Sequence, residues 1–347
     1  MIFDSFLFFQ EIDLLTIRLE YLFPYIDKFI IVESCQTFNG NHKPYNFEKN
    51  ISRFSKYLEK IHYYKIEDFH INTNSLLDYL YKIKDKEIIT KFINEHKHYD
   101  KNKFYLLLDS YHRECIHLAL NKFCKDNDTI IFSDLDEIPS IEFIKHIKFR
   151  KSIRIPIVCK QYEFKYFLNS LNSKNWNGSI ALEYNQIKNK SLNSLRINAN
   201  NMEAFENGGF HFTSIGGKDL LKNKLENWGH QEYNISIIKK NLEKNIYLGR
   251  DIFYRLGVKK NLIINPKNND IFDNRLSLII LNYKYLIINQ FKKESLSNII
   301  NYKFFQFYIY LIRFYNNPIK GIIKIKKYLN KIFHIKNLIK YLNISNK

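Results

Sequence analysis

Three carboxylates within four positions, Asp134, Asp136 and Glu137, follow directly on the run Thr129-Ile130-Ile131-Phe132-Ser133 and are closed off by Pro139. An apolar, β-branched run of this length reads as a buried strand, so the carboxylates gather at one strand end. Like charges so crowded repel one another. A divalent cation relieves the repulsion, because Mg²⁺ or Mn²⁺ needs only one or two carboxylates when phosphate oxygens complete its shell. An Asp-x-Asp on such a ledge suits transfer from a nucleotide sugar. An acidic turn that merely ends a strand is the plainer alternative, and the short motif by itself does not decide between them.

A second cluster lies further on. Gly208-Gly209-Phe210-His211-Phe212 is followed by Gly216-Gly217 and by a helical stretch with Lys224, His230 and Glu232. Paired glycines permit close approach of backbone to a ligand, and His211 faces away from its two phenylalanine neighbours. A single histidine in a strand is more often structural. Two histidines with Glu232 close by make a candidate site.

The elements that must position these groups begin at the N-terminus. Ile2–Phe9 reads as a strand, Glu11–Leu22 as a helix with apolar Ile12, Leu15, Leu19 and Leu22, and Lys28–Glu33 as a second strand. Such a βαβ unit favours a parallel sheet with its ligand crevice at the carboxyl ends of the strands, where Glu33 falls. A helix over 52–60 and a strand over 61–66 continue the pattern, then helices over 76–97 and 104–125 deliver the chain to the acidic strand end. Beyond Pro139 a short helix, 141–148, precedes strand-forming runs at 152–168 and 179–187, whose aromatic and polar residues alternate as if one face were open to ligand.

A chain of 347 residues has room for a proper core, and with only 10 Gly and 6 Pro it is neither collagen-like nor disordered. Lys, Asn, Ile, Tyr and Phe all have AT-rich codons, so part of the net charge of +19 is compositional. The four cysteines form no C-x-x-C pair and read as reduced thiols, which fits a cytoplasmic location. The first residues lack a basic n-region and no uncharged apolar run approaches 18 residues, so neither signal peptide nor membrane span is expected. Residues 295–347 hold ten Lys and Arg and no Asp or Glu, interleaved with aromatic and aliphatic residues. That is the pattern of helices on an anionic membrane surface, or of a bundle packed on the domain or on a second subunit. No nucleic-acid-binding motif accompanies the charge.

Five blocks, in order, resemble glycosyltransferase family 17: Met1-Ile2-Phe3-Asp4-Ser5-Phe6-Leu7-Phe8-Phe9-Gln10-Glu11 continuing to Arg18-Leu19; Val32-Glu33-Ser34 with Thr37-Phe38 and Gly40; Ser133 through Pro139; Gly208 through Phe212; and His230-Gln231-Glu232. The family includes enzymes that add a bisecting N-acetylglucosamine to glycoproteins. Phe210 stands where Trp is expected and Gln10 where Asn is usual. The resemblance implies an α/β fold of the GT-A-like type, one nucleotide-binding domain over 1–290 with a mixed central sheet flanked by helices; the charge pattern adds a basic helical extension over 291–347. It implies inverting transfer of a sugar, typically N-acetylglucosamine, from a UDP-sugar donor to a hydroxyl of a glycan or glycolipid acceptor.

On that resemblance Asp136 would hold the Mn²⁺ or Mg²⁺ that bridges the donor phosphates, with His211 and His230 in the metal set, and Asp134 would face the ribose or the cation's hydration shell. Glu33, with Phe9 and Glu11, would contact the nucleoside, and Arg113 the pyrophosphate. Inversion needs one carboxylate to take the acceptor's proton; Glu232 and Glu137 are the contenders, Glu232 preferred. Two other classes compete. A haloacid-dehalogenase-like phosphatase also carries Asp-x-Asp at a strand end, but usually near the chain's start and followed by Gly and Thr. A non-catalytic glycan- or membrane-binding protein is the other.

Overall fold

The computed structural model describes residues 1–83, 86–95, 100–150, 153, 155–227 and 231–316, with the backbone alone for Glu232 and 313–316. By its internal contacts the chain forms two compact units, Met1–Lys239 with Leu262–Asn289, and Lys240–Asn261 with Gln290–Lys347. The second unit thus includes residues 240–261, which composition alone did not set apart from the expected 1–290 domain.

The first unit is built on a mixed nine-stranded sheet flanked by helices. In chain order its strands are β1 Ile2–Phe8, β2 Lys28–Ser34, β3 Ile61–Ile66, β4 Thr129–Asp134, β5 Glu137–Pro139, β6 Ile157–Lys165, β7 Ser170–Glu183, β8 Glu203–Thr213 and β9 Leu262–Ile263. They lie in the order β3-β2-β1-β4-β7-β6-β8-β5, with β9 on β7. The first four are mutually parallel. Buried on nearly every position, β1, β2 and β4 read as apolar runs because both faces of the sheet are covered there. β7 then runs antiparallel to β4 and β6, and β8 runs parallel to β6 while β5 pairs antiparallel with it.

Several expectations change in the folded chain. The helix expected over 76–97 is two, Thr73–Lys82 and Glu87–Glu95, the first opened by a capping box between Asn72 and Ser75 and followed by extended Ile83. The one expected over 104–125 is Phe104–Glu114 and Ile116–Phe123, divided at Cys115. The run 179–187 is strand only to Glu183, after which Tyr184–Ile187 turns helical. The polar side of β6 is not open to ligand either, since Gln161, Glu163 and Lys165 are all buried. Gly208 and Gly209 make room for neighbouring strands rather than for a ligand. A Cβ on Gly208 would stand 2.9 Å from Cys159 Cα, and one on Gly209 would stand 2.3 Å from the Ile138 carbonyl oxygen.

In the second unit the helix Leu296–Asn316 opens the basic, aromatic stretch. Its buried Tyr302 donates to the Asp251 carbonyl at 2.9 Å and lies under the Arg250 guanidinium. Residues 317–347, which carry most of the expected membrane-contact sequence, lie outside the described residues. Among the described residues no helix is long and apolar enough to cross a membrane.

Candidate functional site

The acidic ledge is shaped from beneath by Arg18. This residue sits on the helix Ile12–Leu22 with no exposed surface, which an arginine tolerates only when fully paired. It forks onto Asp4 of β1 at 2.8 and 2.5 Å and donates to the carbonyl oxygens of Asp134 (3.0 Å), Leu135 (2.9 Å) and Glu137 (3.0 Å). Five guanidinium donors in a fixed plane suit a tight turn with several unpaired carbonyls. So tied, the turn between β4 and β5 leaves the side chain of Asp134 36% exposed and that of Asp136 15% exposed, while Glu137 is fully buried.

Cationic groups converge on this ledge from one earlier segment and three later ones. Glu114 accepts from Ser191 Oγ and from the backbone of Leu192 and Asn193, pinning the helix Leu192–Ile197 to the helix Phe104–Glu114. Arg113 and Arg196 are thereby brought to the same carboxylate: Asp134 lies 2.9 Å from Arg196 and 3.5 Å from Arg113. Arg196 also holds both oxygens of Glu137 at 2.7 Å, and Glu137 accepts from Trp176 Nε1 at 2.8 Å and from the Asp134 backbone at 3.1 Å. Asp136 stands 3.7 Å from His211 Nε2 and 3.8 Å from Lys224 Nζ, longer than hydrogen bonds. His211, on β8 opposite Glu137, stacks on Trp176 with ring centroids 4.4 Å apart, and its Nδ1 is buried without a hydrogen-bond partner among the described residues.

These surroundings set the protonation states. Burial works to raise the Asp136 carboxyl, but His211 and Lys224 outweigh it and hold it below the ordinary carboxylate range. Asp134 is likewise lowered, burial being overcome by Arg196 and then Arg113. His211 is raised, since Asp136 more than offsets its burial. The ledge is therefore anionic and framed by cations, an arrangement suited to a ligand that carries phosphate charge.

The family model for glycosyltransferase family 17 matches residues 1–256. This chain belongs to glycosyltransferase family 17. No curated protein matches it. Among solved structures, that of mouse xyloside xylosyltransferase 1 in its apo form is similar at a TM-score of 0.24 and 10% identity, over 46% of this chain and 52% of that one. The chain thus spans about half the length of that protein.

In this family 17 chain the remaining residues singled out by sequence have diverse surroundings. Glu33 does not present its carboxylate to the crevice: it is fully buried and accepts from Lys43, the Asn46 and Phe47 backbone, and Tyr63. Glu137, a candidate base from sequence, is in the same condition, its four hydrogen bonds leaving no oxygen for an acceptor hydroxyl. Phe9 is half-buried just past β1 and packs on half-buried Phe38, centroids 5.7 Å apart. Glu11 lies beside Lys224 at 3.6 Å. Glu232 has its backbone in the short turn Gln231–Tyr233, and its side chain, like the whole of His230, lies outside the described residues.

Sequence reading missed Arg18, Trp176, Arg196 and Lys224 as site residues. A signal existed for two of them. Only 10 of the 54 basic residues are Arg. In a chain biased towards Lys, arginine persists where a planar fork is needed, and Arg18, Arg113 and Arg196 all meet at this ledge.

Proposed function

We propose that this chain transfers a sugar, N-acetylglucosamine, from a UDP donor to a hydroxyl of a glycan or glycolipid, with inversion and with a divalent cation, on a GT-A-like fold. The observation that carries the reading is the state of Asp136: a partly exposed carboxylate beyond the carboxyl end of β4, ionised by its neighbours yet hydrogen-bonded by neither His211 nor Lys224. Among the described residues no three His, Cys, Asp or Glu side chains are grouped to hold a metal ion. Asp136 fits the lesser demand of a cation that takes one carboxylate and fills its shell from water and phosphate. Asp136, with His211 at hand, would hold Mg²⁺ or Mn²⁺, which when bound supplies Lewis-acid stabilisation of the departing diphosphate.

The chain's own groups do the rest. Arg113 and Arg196 place guanidinium charge where the diphosphate leaves, and Glu137 holds Arg196 in position from below. Phe9 and Phe38 offer an aromatic wall to the uracil. In the transfer the bond from the sugar's anomeric carbon to the diphosphate oxygen breaks, a bond to the acceptor oxygen forms on the opposite face, and the acceptor's proton passes to Glu232. The saturation of Glu137 favours Glu232 for that step.

Calorimetry with UDP in Mn²⁺ and in EDTA tests the reading. Tight binding only with the cation is expected, and Asp136→Ala should lose both the cation requirement and most of the affinity. Equal affinity in EDTA removes the metal's role. Absence of UDP binding under every condition removes the donor assignment itself.

A further inference from the structure

The least accounted-for group near the ledge is the ammonium of Lys224. It belongs to the helix Gly217–Asn227, which leaves β8 through three residues with positive φ, Ser214 (61°), Gly216 (111°) and Gly217 (81°). The turn brings the helix back towards the carboxyl ends of the parallel strands. Leu221 and Leu225 fix its inner face by burial, and Lys224 lies on that same face at helical spacing. Near its end, Asn39 and Asn41 of the loop after β2 reach Glu226 and Asn227 at 3.3 and 3.4 Å.

A lysine whose whole task was to neutralise nearby carboxylates would close on them. Lys43 does so with Glu33 at 2.6 Å, and Lys86 with Asp68 at 2.7 Å. Lys224 stands back from both of its neighbours, at 3.6 Å from Glu11 and 3.8 Å from Asp136, with its side chain a quarter exposed. An ammonium has three donors and gains most from a charged acceptor at hydrogen-bond distance. Here the carboxylate oxygens of Glu11, which opens the helix Ile12–Leu22, and of Asp136 on the acidic ledge both lie beyond that distance.

We infer that Lys224 binds the diphosphate of the donor, turning from its loose position between Glu11 and Asp136 to donate to a phosphate oxygen. The inference rests on the donor reading above and adds a residue to it. Any diphosphate drawn to Asp136 comes within reach of Nζ, whereas a nucleoside with one phosphate need not extend that far. Lys224 therefore reports on the second phosphate, and Lys224→Met should discriminate UDP from UMP.

Titration of the full chain with UDP and with UMP, in Mn²⁺, tests this for wild type, Lys224→Met, Lys224→Gln and Lys224→Arg, each checked for an unchanged melting transition. One charge-assisted hydrogen bond lost should weaken UDP binding by about 10- to 100-fold in both neutral variants. Lys224→Arg should stay within about threefold of wild type, and UMP affinity should change by less than about threefold throughout. Unchanged UDP affinity in the neutral variants overturns the inference and leaves the donor reading standing. Equal losses for UDP and UMP also overturn it, assigning Lys224 to holding its helix. If wild type binds neither nucleotide, the donor reading fails and the inference with it.

Discussion

Arg196 grips Glu137 with one hydrogen bond from each terminal nitrogen, both 2.7 Å, although the two residues are 59 positions apart and Glu137 has no exposed surface. The pair converts a carboxylate that looks reactive in sequence into the anchor of a cation. Arg196→Met would strand a buried charge, and a loss of about 3–5 kcal/mol is expected by urea unfolding. Replacing both residues by Met should recover part of that loss, because no unpaired charge then remains at the fully buried position 137, and Asp134, more exposed, keeps Arg113. A double variant as unstable as the sum of the single ones would show that the pair is not coupled.

Gly209 has φ of +153°, and a Cβ there would meet the Ile138 carbonyl oxygen at 2.3 Å and Pro139 Cα at 2.9 Å. The β5 backbone cannot give way without breaking its pairing with β8. Gly209→Ala should cost more than about 3 kcal/mol and cut soluble yield, the left-handed conformation alone accounting for about 1–3 kcal/mol. Gly217 has φ of +81° but open space around it, so Gly217→Ala should cost only about 1–2 kcal/mol. Thermal melts of the two variants compare them directly.

His112 is fully buried behind β2, 3.1 Å from Ser34 Oγ, and burial pushes its imidazole down to about 3, only partly countered by Asp68. Unfolded histidine takes its proton near pH 6.5, so on acidification the unfolded state binds a proton first. The stability contributed is complete above about pH 6.5 and is lost as pH falls towards 3, at up to about 1.4 kcal/mol per pH unit. His117, lowered in the same direction by burial, steepens the slope. Denaturant midpoints at pH 7 and pH 5 should draw together in His112→Gln; an unchanged separation would place the acid sensitivity elsewhere.

Glu232→Gln keeps the shape of the proposed base and removes its basicity. Transfer should fall by about 10²- to 10⁴-fold while UDP affinity stays near the wild-type value. Glu137→Gln should do the reverse, weakening UDP binding through a loosened Arg196. Normal transfer by Glu232→Gln would pass the proton to another carboxylate.

Local pattern in the sequence was enough to place the acidic strand end, the opening βαβ unit, and His211 on the face opposite Phe210 and Phe212, because each depends on the alternation or periodicity of near neighbours. The family blocks were legible for the same reason: they are short runs whose spacing survives in one dimension. Partners were not legible. Glu33 and Glu137 both sit at ends of strands, as reactive carboxylates would, yet Lys43 and Tyr63 consume the first, Arg196 and Trp176 the second. Asp136, one residue before Glu137, keeps its oxygens clear of hydrogen bonds from His211 and Lys224. What separates them is the strand order β4-β7-β6-β8-β5, which brings Trp176 and His211 to the ledge from distant positions. A buried charge takes whichever partner the sheet order sets beside it, and that order depends on the packing of the whole core rather than on any local run of residues.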